Sequence, residues 1–136
     1  MIDLKNLTIA QAHEDLKSGK YTCVELAKAY LDIIQAKNTE LNAYLEVFDD
    51  VLAQAESAQK KFQDGSATIL TGIPIAIKDN ILYKGHIASA GSKILANYVA
   101  AYDSAVVRDL LKEGAVILGR TNMDEFAMGS STQTSA

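Results

Sequence analysis

Lys78 has the residue type and the position in this sequence that best suit chemistry. It lies near the end of the apolar segment 71–80, in which three isoleucines recur at every second position, as in a β-strand. The same alternation places Lys78 on the opposite side of the strand from these isoleucines, together with Pro74 and Ala76. Where such a side is also covered, a lysine loses hydration, and the neutral amine can act as a general base. The alternative is a structural lysine that reaches from a strand end into water, and the residues alone favour it.

A second candidate is the polar segment 122–134. We expect Asn122 to cap a short turn and Phe126 and Met128 to anchor it. Residues 129–132 would then offer backbone amides and hydroxyls to a small polar ligand. The alternative is a connecting loop rich in serine and threonine, and without other information this alternative is favoured.

Other polar residues add less. Asp79 and Asn80 follow Lys78, and we expect them to hold a loop just past the strand end, where α/β proteins place their sites. His13, His86 and Cys23 have no spacing typical of a metal site, so no metal is expected. The glycine spacing, with no following Gly-Lys-Ser/Thr, excludes a phosphate-binding P-loop.

Composition excludes several classes of protein. The chain has 136 residues, with 13 Lys and Arg against 17 Asp and Glu and a net charge of −4. This mild acidity argues against binding nucleic acid by the chain's own electrostatics. A single cysteine excludes an internal disulfide framework. No apolar run reaches the roughly 18–20 residues of a membrane helix, and the N-terminus lacks the apolar core of a signal peptide. We therefore expect a cytoplasmic protein.

The elements that must position these residues are predicted to be four helices and three strands. Helix starts are indicated by Thr8, by a capping box of Thr22 and Glu25, by Asp49 or Asp50, and by Asp103 or Ser104. The predicted helices run from Ile9 to about Ser18, from Val24 to a stop at Asn38 and Thr39, from Val51 to about Gln63, and over Ala105–Glu113. The predicted strands are Ala43–Phe48, segment 71–80 and Ala115–Leu118. The order strand, helix, strand in the second half predicts an α/β sheet with crossover connections.

Three segments carry a resemblance to a known family: GIPIAIKDNI (72–81), ASAGSKIL (88–95) and DSAVVRDLLKEGAVILGRTNMDEFAMGSST (103–132). They resemble the amidase signature family, and within it most closely the A subunit of the aspartyl/glutamyl-tRNA amidotransferases. Residues 1 to about 40 match only in their helical pattern. The resemblance implies an α/β fold in which N-terminal helices, 1–65, precede the start of a mixed-sheet core, 66–136. Because the polar tail follows a strand that needs neighbours, we expect an incomplete, N-terminal part of a single amidase domain.

The resemblance also implies a chemistry. In the family a Ser–cis-Ser–Lys unit catalyses acyl transfer, and Lys78 matches the lysine that activates the nucleophilic serine through a bridging serine. Both serines belong to a Gly/Ser-rich segment beyond residue 136, so we expect this chain to be inactive alone. Met128, Gly129 and Ser130 match the loop that lines the substrate pocket.

The implied activity is hydrolysis of glutamine to glutamate and ammonia. The ammonia would pass to the B subunit, where ATP and Mg²⁺ serve the amidation of misacylated Glu-tRNA(Gln), with Asp-tRNA(Asn) as a second candidate. The B and C subunits are the expected protein partners, and this chain itself is expected to need no cofactor. Two alternatives stay open. One is a fragment of another amidase-signature hydrolase that acts on a small amide, and the other is a non-catalytic binding module on the same scaffold.

Overall fold

A computed structural model describes residues 2–136 and places three strands in one mixed sheet, flanked by helices. The strands are β1 (Tyr44–Val47), β2 (Pro74–Lys78) and β3 (Val116–Thr121). The α-helices are α1 (Ile9–Lys17), α2 (Cys23–Leu41), α3 (Val51–Gln63) and α4 (Ala105–Glu113). Two single-turn 3₁₀-helices cover Lys93–Leu95 and Glu125–Ala127. The α/β fold class expected from the sequence is confirmed.

The central strand of the sheet is β3, in the order β1-β3-β2. It pairs in parallel with β2 and antiparallel with β1. Because parallel neighbours need a crossover connection, the chain between β2 and β3 carries α4, as the order of elements predicted. β1 comes from the half expected to be helical, so both halves of the chain contribute to one sheet. β3 itself runs three residues beyond the predicted Leu118, to Thr121.

Hydrogen bonds at the helix ends confirm most of the predicted caps. The Thr8 and Ser104 hydroxyls accept from Gln11 and Val107 amides, and Thr22 and Glu25 form the full capping box. The Asp50 side chain is an exception. It makes no cap hydrogen bond and instead accepts from the Gln54 side-chain amide at 2.8 Å.

The predicted stop of α2 at Asn38 and Thr39 is wrong, because the helix continues to Leu41 and ends at Asn42 in a left-handed conformation. The Asn38 side chain is engaged elsewhere. Its amide group donates to the Tyr44 carbonyl and its oxygen accepts from the Tyr44 amide, both at 2.8 Å. Asn38 therefore ties the end of α2 to the start of β1 instead of ending the helix.

The core lies where α2, α3 and the sheet meet. Its largest fully buried apolar side chains include Leu26, Val51, Val107, Val116 and Ile117. Cys23 is also buried there, and burial raises the pKa of its thiol to about 11. None of the helices in residues 2–136 is long and apolar enough to span a bilayer.

The described residues expose 8065 Å², more than the roughly 6,900 Å² expected for a compact monomer of this mass. Several large apolar side chains contribute to this surface. Those in the connection from β2 to α4 are Ile94, Tyr98, Val99 and Tyr102. This connection therefore offers apolar area for further contacts.

The capping box of α2 yields a first prediction. Thr22→Ala removes the hydroxyl that accepts from the Glu25 amide, and it should lower the free energy of unfolding by about 1 kcal/mol. Thr39→Ala is the matched control, because Thr39 is exposed inside the same helix. Urea unfolding measures both variants. Equal losses in the two variants would contradict the role given to the capping box.

Candidate active site around Lys78

Lys78 is the last residue of β2, and its side chain is exposed. Its neighbours alternate as predicted: Ile77 is buried, whereas Ala76 is exposed on the same side as Lys78. Pro74 starts the strand, a position that its missing N–H permits. The strand therefore anchors one face in the core and presents the lysine amine on the other.

Asp79 follows Lys78 and is fully buried. Its carboxylate accepts hydrogen bonds from the Ser89 amide at 3.0 Å, the Ser89 hydroxyl, the Gly91 amide at 2.8 Å and the Arg120 guanidinium at 2.6 Å. Burial by itself raises the pKa of Asp79, but these hydrogen bonds outweigh burial and hold the pKa below its usual value. Asp79 is therefore an ionised carboxylate in the interior, and the prediction that it holds a loop is confirmed.

Arg120 on β3 connects Asp79 with the far side of the sheet. One guanidinium nitrogen donates to Asp79, and Nε donates to a Glu46 carboxylate oxygen on β1 at 3.1 Å. The Asp79 amide also donates to the Thr121 carbonyl at 3.1 Å. These contacts join all three strands at the end of β2, so the backbone that carries Lys78 is held from both sides.

Asp79 also holds the loop of residues 88–92, which we call the bridging loop. In addition to the contacts with its carboxylate, the Asp79 carbonyl accepts from the Ala90 amide at 3.0 Å. Gly91 has φ +63°, and a Cβ on it would lie 2.7 Å from the Met123 carbonyl oxygen. Only glycine fits both conditions, so the bridging loop lies directly against the segment that follows β3.

That segment is organised by a second carboxylate. Asp124 accepts from the Ser131 amide at 3.1 Å, the Thr132 amide at 2.8 Å, and the Thr134 amide and hydroxyl at 3.2 and 3.0 Å. The Thr132 amide makes the largest contribution to lowering the pKa of Asp124. Gly129 lies so close that a Cβ on it would be 2.6 Å from Asp124 Oδ1. Residues 129–134, here the polar loop, therefore wrap around Asp124.

This arrangement corrects two predictions for segment 122–134. The amides of Ser131 and Thr132 are not free for a ligand, because they donate to Asp124. Phe126 and Met128 do not anchor the turn: they are 43% and 77% exposed, and the buried side chain is that of Met123. The physical reason is that a buried carboxylate recruits amide donors more strongly than two exposed apolar side chains pack.

Asn122 does not cap the turn. Its side-chain oxygen accepts from the Ser135 hydroxyl and the Met123 amide, and its amide group donates to the Asn42 carbonyl. Asn122 therefore ties the C-terminal residues to the end of α2. The 3₁₀-turn Glu125–Ala127 has Asp124 at its cap position, without a side-chain cap hydrogen bond.

The histidines lie in aromatic contacts. The His86 ring centroid is 4.0 Å from that of Phe48 and 4.5 Å from that of Tyr83, and His13 lies 5.7 Å from Phe62. Within residues 2–136 no group of three His, Cys, Asp or Glu side chains is arranged to hold a metal ion.

The candidate site thus has two exposed parts. Lys78 ends β2, and Met128, Gly129 and Ser130 are exposed at the start of the polar loop. No hydrogen bond among the described residues joins Lys78 to these three. Sequence reasoning missed the residues that connect the two parts, namely Arg120, Ser89, Ser92 and Glu125. Only Arg120 carried a signal, as a charged residue that closes an apolar run.

A comparison with protein families shows to which family the chain belongs. The family model described as Amidase matches residues 25–136, which include Lys78 and the polar loop. The chain belongs to the amidase signature family. The match begins inside α2, so it leaves out the N-terminal residues, where the sequence resembled the family only in its helical pattern.

Curated relatives of the chain are also similar over its whole length. The chain is 50% identical to the A subunit of Glutamyl-tRNA(Gln) amidotransferase from Dehalococcoides mccartyi over 137 residues, which cover 100% of this chain and 28% of that protein. The protein of the same name from Granulibacter bethesdensis is 47% identical, with the same two coverages. The chain therefore spans little more than a quarter of the length of these relatives.

Solved structures of amidases share the fold. The native peptide amidase from Stenotrophomonas maltophilia superposes with a TM-score of 0.86 at 32% identity, covering 91% of this chain and 26% of that one. An amidase family protein from Bacillus anthracis gives a TM-score of 0.82 at 30% identity, covering 88% and 25%. The described residues thus share the fold of part of an amidase.

The ion pair of Asp79 and Arg120 yields a second prediction. Asp79→Ala leaves the Arg120 guanidinium buried without its main partner, and it should lower the free energy of unfolding by about 3 kcal/mol or more. Asp64→Ala is the control, since Asp64 accepts two hydrogen bonds from Ser66 at an exposed site. Denaturant unfolding should show a large shift of the midpoint in the first variant only, and equal shifts would refute the special role of Asp79.

Asp124 yields a pH prediction. Its pKa is lower in the folded than in the unfolded protein, so its contribution to the polar loop is present above the ordinary carboxylate pKa of about 4 and is lost as the pH falls through the folded value. Hydrogen exchange of the Thr132 amide, corrected for intrinsic rates, should therefore accelerate below pH 4. Asp124→Asn cannot titrate and should show no such step. A step of the same size in this variant would assign the effect to another carboxylate.

Proposed function

We propose that this chain supplies the lysine-bearing part of a glutamine amidohydrolase, the A subunit of a tRNA-dependent amidotransferase. The observation that carries the proposal is the place of Lys78, an amine at the free end of β2 whose backbone is held by the buried pair of Asp79 and Arg120. Support comes from the family match over residues 25–136 and from relatives of 43–50% identity that bear this subunit's name.

The proposed reaction is acyl transfer. The Lys78 amine takes the proton of a nucleophilic serine through a bridging serine, and the serine oxygen bonds to the side-chain carbonyl carbon of glutamine. Collapse of the adduct breaks the bond to nitrogen, and the proton held at Lys78 leaves with the amine as ammonia. Water then hydrolyses the glutamyl ester to glutamate. Both serines are expected in the part of the native protein that follows residue 136.

Met128, Gly129 and Ser130 are proposed to contact the glutamine. All three are exposed, and the amides that follow them are already bonded to Asp124. The loop is therefore held in shape before any substrate arrives, which lowers the ordering cost of binding. Its exposed side offers the backbone of Gly129 and the hydroxyl of Ser130 to a carboxamide or an α-carboxylate.

The proposed partners are the B and C subunits of the amidotransferase. The B subunit would receive the ammonia and use ATP and Mg²⁺ to amidate misacylated Glu-tRNA(Gln), or Asp-tRNA(Asn), in the cytoplasm. The apolar side chains of the connection from β2 to α4, such as Ile94 and Tyr102, are available to contact the rest of the protein or a partner.

A second candidate is a hydrolase that acts on another small amide without tRNA. The likeness to the peptide amidase of Stenotrophomonas maltophilia favours it, because that enzyme shares the fold over 91% of this chain at 32% identity. The two candidates share Lys78 and differ in substrate. Release of ammonia from free glutamine, compared with release from C-terminal peptide amides, separates them.

Lys78 yields the functional prediction. In the protein expressed from its complete native gene, Lys78→Ala should lower kcat for ammonia release from glutamine by about 10²–10⁴-fold, because the serine loses its general base. Lys78→Arg should lower kcat to a similar extent, since a guanidinium does not become neutral and cannot serve as a base. Both should keep the wild-type melting temperature, because the side chain is exposed.

Lys112→Ala is the matched control, an exposed lysine on α4, and should keep wild-type kcat. A Lys78→Ala variant that retains the wild-type rate would exclude Lys78 as the base. A native gene product that releases no ammonia from glutamine or from any small amide would favour the non-catalytic binding module.

A further inference from the structure

The bridging loop makes a second set of contacts, to the turn that precedes the polar loop. The Ser92 hydroxyl donates to a carboxylate oxygen of Glu125 at 2.6 Å, and Ser92 is 1% exposed. Beside this bond, the Phe126 amide donates to the Ala90 carbonyl at 2.9 Å. The bridging loop is therefore hydrogen-bonded to Asp79 on one side and to residues 125–126 on the other.

The backbone is strained where the two segments meet. Ala90, Phe126 and Ala127 have φ values of 51°, 50° and 61°, in the left-handed region. The left-handed conformation costs about 1 kcal/mol for each residue other than glycine. Ala90 and Phe126 are hydrogen-bonded to each other, so the strain is concentrated in one contact. Such conformations persist only where the surroundings fix them, and they cluster at functional sites.

The contact lies between the two exposed parts of the candidate site. On one side, Ser89 and Gly91 bond to Asp79, which is adjacent to Lys78. On the other side, Glu125 is adjacent to Asp124, which holds the polar loop, and the Glu125 amide itself donates to the Thr134 hydroxyl at 3.2 Å. Hydrogen bonds and short stretches of backbone thus connect Lys78 to the polar loop without a gap.

We propose that the hydrogen bond between Ser92 and Glu125 is a positioning contact, which sets the place of residues 128–130 relative to Lys78. The inference rests on the proposed function, in which these residues bind glutamine and Lys78 serves the chemistry. Ser92 and Glu125 are positioning residues. Ser92 is buried and acts through Glu125, so neither residue needs to contact the substrate.

Variants of this pair can distinguish a positioning role from a general contribution to stability. Loss of the Ser92 hydroxyl removes the side-chain contact that holds the turn at Glu125. The loop that binds substrate is then less firmly placed, whereas the contacts of Asp79 beside Lys78 remain. Binding of glutamine should therefore weaken more than the chemical step slows. Glutamine at position 125 keeps a carbonyl oxygen that can accept the same hydrogen bond, so the conservative variant should behave like the wild type.

The test uses the protein expressed from its complete native gene, with the variants Ser92→Ala, Glu125→Gln and Ser104→Ala. Ser104→Ala is the matched control. The Ser92 hydroxyl accepts from the Ile94 amide, and the Ser104 hydroxyl likewise accepts from a backbone amide, that of Val107, but at the start of α4. Three quantities are measured for each: KM and kcat for glutamine by ammonia release, the melting temperature, and hydrogen exchange of the Ser131, Thr132 and Thr134 amides.

Ser92→Ala should raise KM about tenfold, the size expected for one lost hydrogen bond, with kcat within about threefold of wild type. Exchange of the three polar-loop amides should accelerate to a similar extent. Glu125→Gln should keep the wild-type KM and the wild-type exchange rates of these amides. Ser104→Ala should lower the melting temperature but leave KM and the polar-loop amides unchanged.

Unchanged KM and unchanged exchange in Ser92→Ala would overturn the inference, and so would an equal rise of KM in Ser104→Ala. If Ser92→Ala fails to fold, Glu125→Ala removes the acceptor at a half-buried position and takes its place. If the wild-type protein releases no ammonia from glutamine, the proposed function fails. Exchange then decides the contact alone: acceleration in Ser92→Ala but not in Ser104→Ala supports it, and no acceleration overturns it.

Discussion

A carboxylate with no exposure to water must be fully supplied with donors, and in this protein the Asp79 carboxylate receives them from the Ser89 and Gly91 backbone, the Ser89 hydroxyl and the Arg120 guanidinium. Placing two charges in the interior costs several kcal/mol for each ion unless their hydrogen bonds are complete. The pair therefore fixes the positions of its donors as strictly as they fix its own. β1, β2, β3 and the bridging loop all meet at this pair, and the geometry of the candidate site follows from it.

The alternation of β2 explains how a buried anchoring residue and the exposed side chain proposed to be catalytic occupy adjacent positions. Ile77 and Asp79 point into the protein, whereas Lys78 between them points outward. The anchoring residue holds the backbone without contacting the amine, so the amine is free to contact a serine and a substrate. A lysine supplied by a loop would need further contacts to reach the same precision.

The parts of this structure that could be predicted from sequence depend on residues close together in the chain. Capping by Thr22 with Glu25 spans three residues, and the strand period that orients Lys78 spans two. Family resemblance added the proposed catalytic role of Lys78, which the residues alone did not favour. The connection between Asp79 and Arg120 spans 41 residues. Nothing local indicates it, apart from a charged residue at the end of an apolar strand.

Sequence reasoning about the polar loop was incomplete for a related reason. Residues 129–132 were one candidate ligand site, but the nearby Asp124 already accepts from the Ser131 and Thr132 amides. Local composition shows which groups can donate, whereas only the fold shows which acceptor is buried among them. The same holds for Asn38, whose side chain was expected to stop α2 but bonds to Tyr44 once β1 lies beside the helix.

The most direct test of this account is a crystal structure of the protein expressed from its complete native gene, with glutamine bound. The account predicts the Lys78 amine within hydrogen-bond distance of a serine hydroxyl, glutamine against residues 128–130, and the bond between Asp79 and Arg120 intact. A structure with Lys78 in open solvent, or with glutamine bound away from residues 128–130, would contradict it.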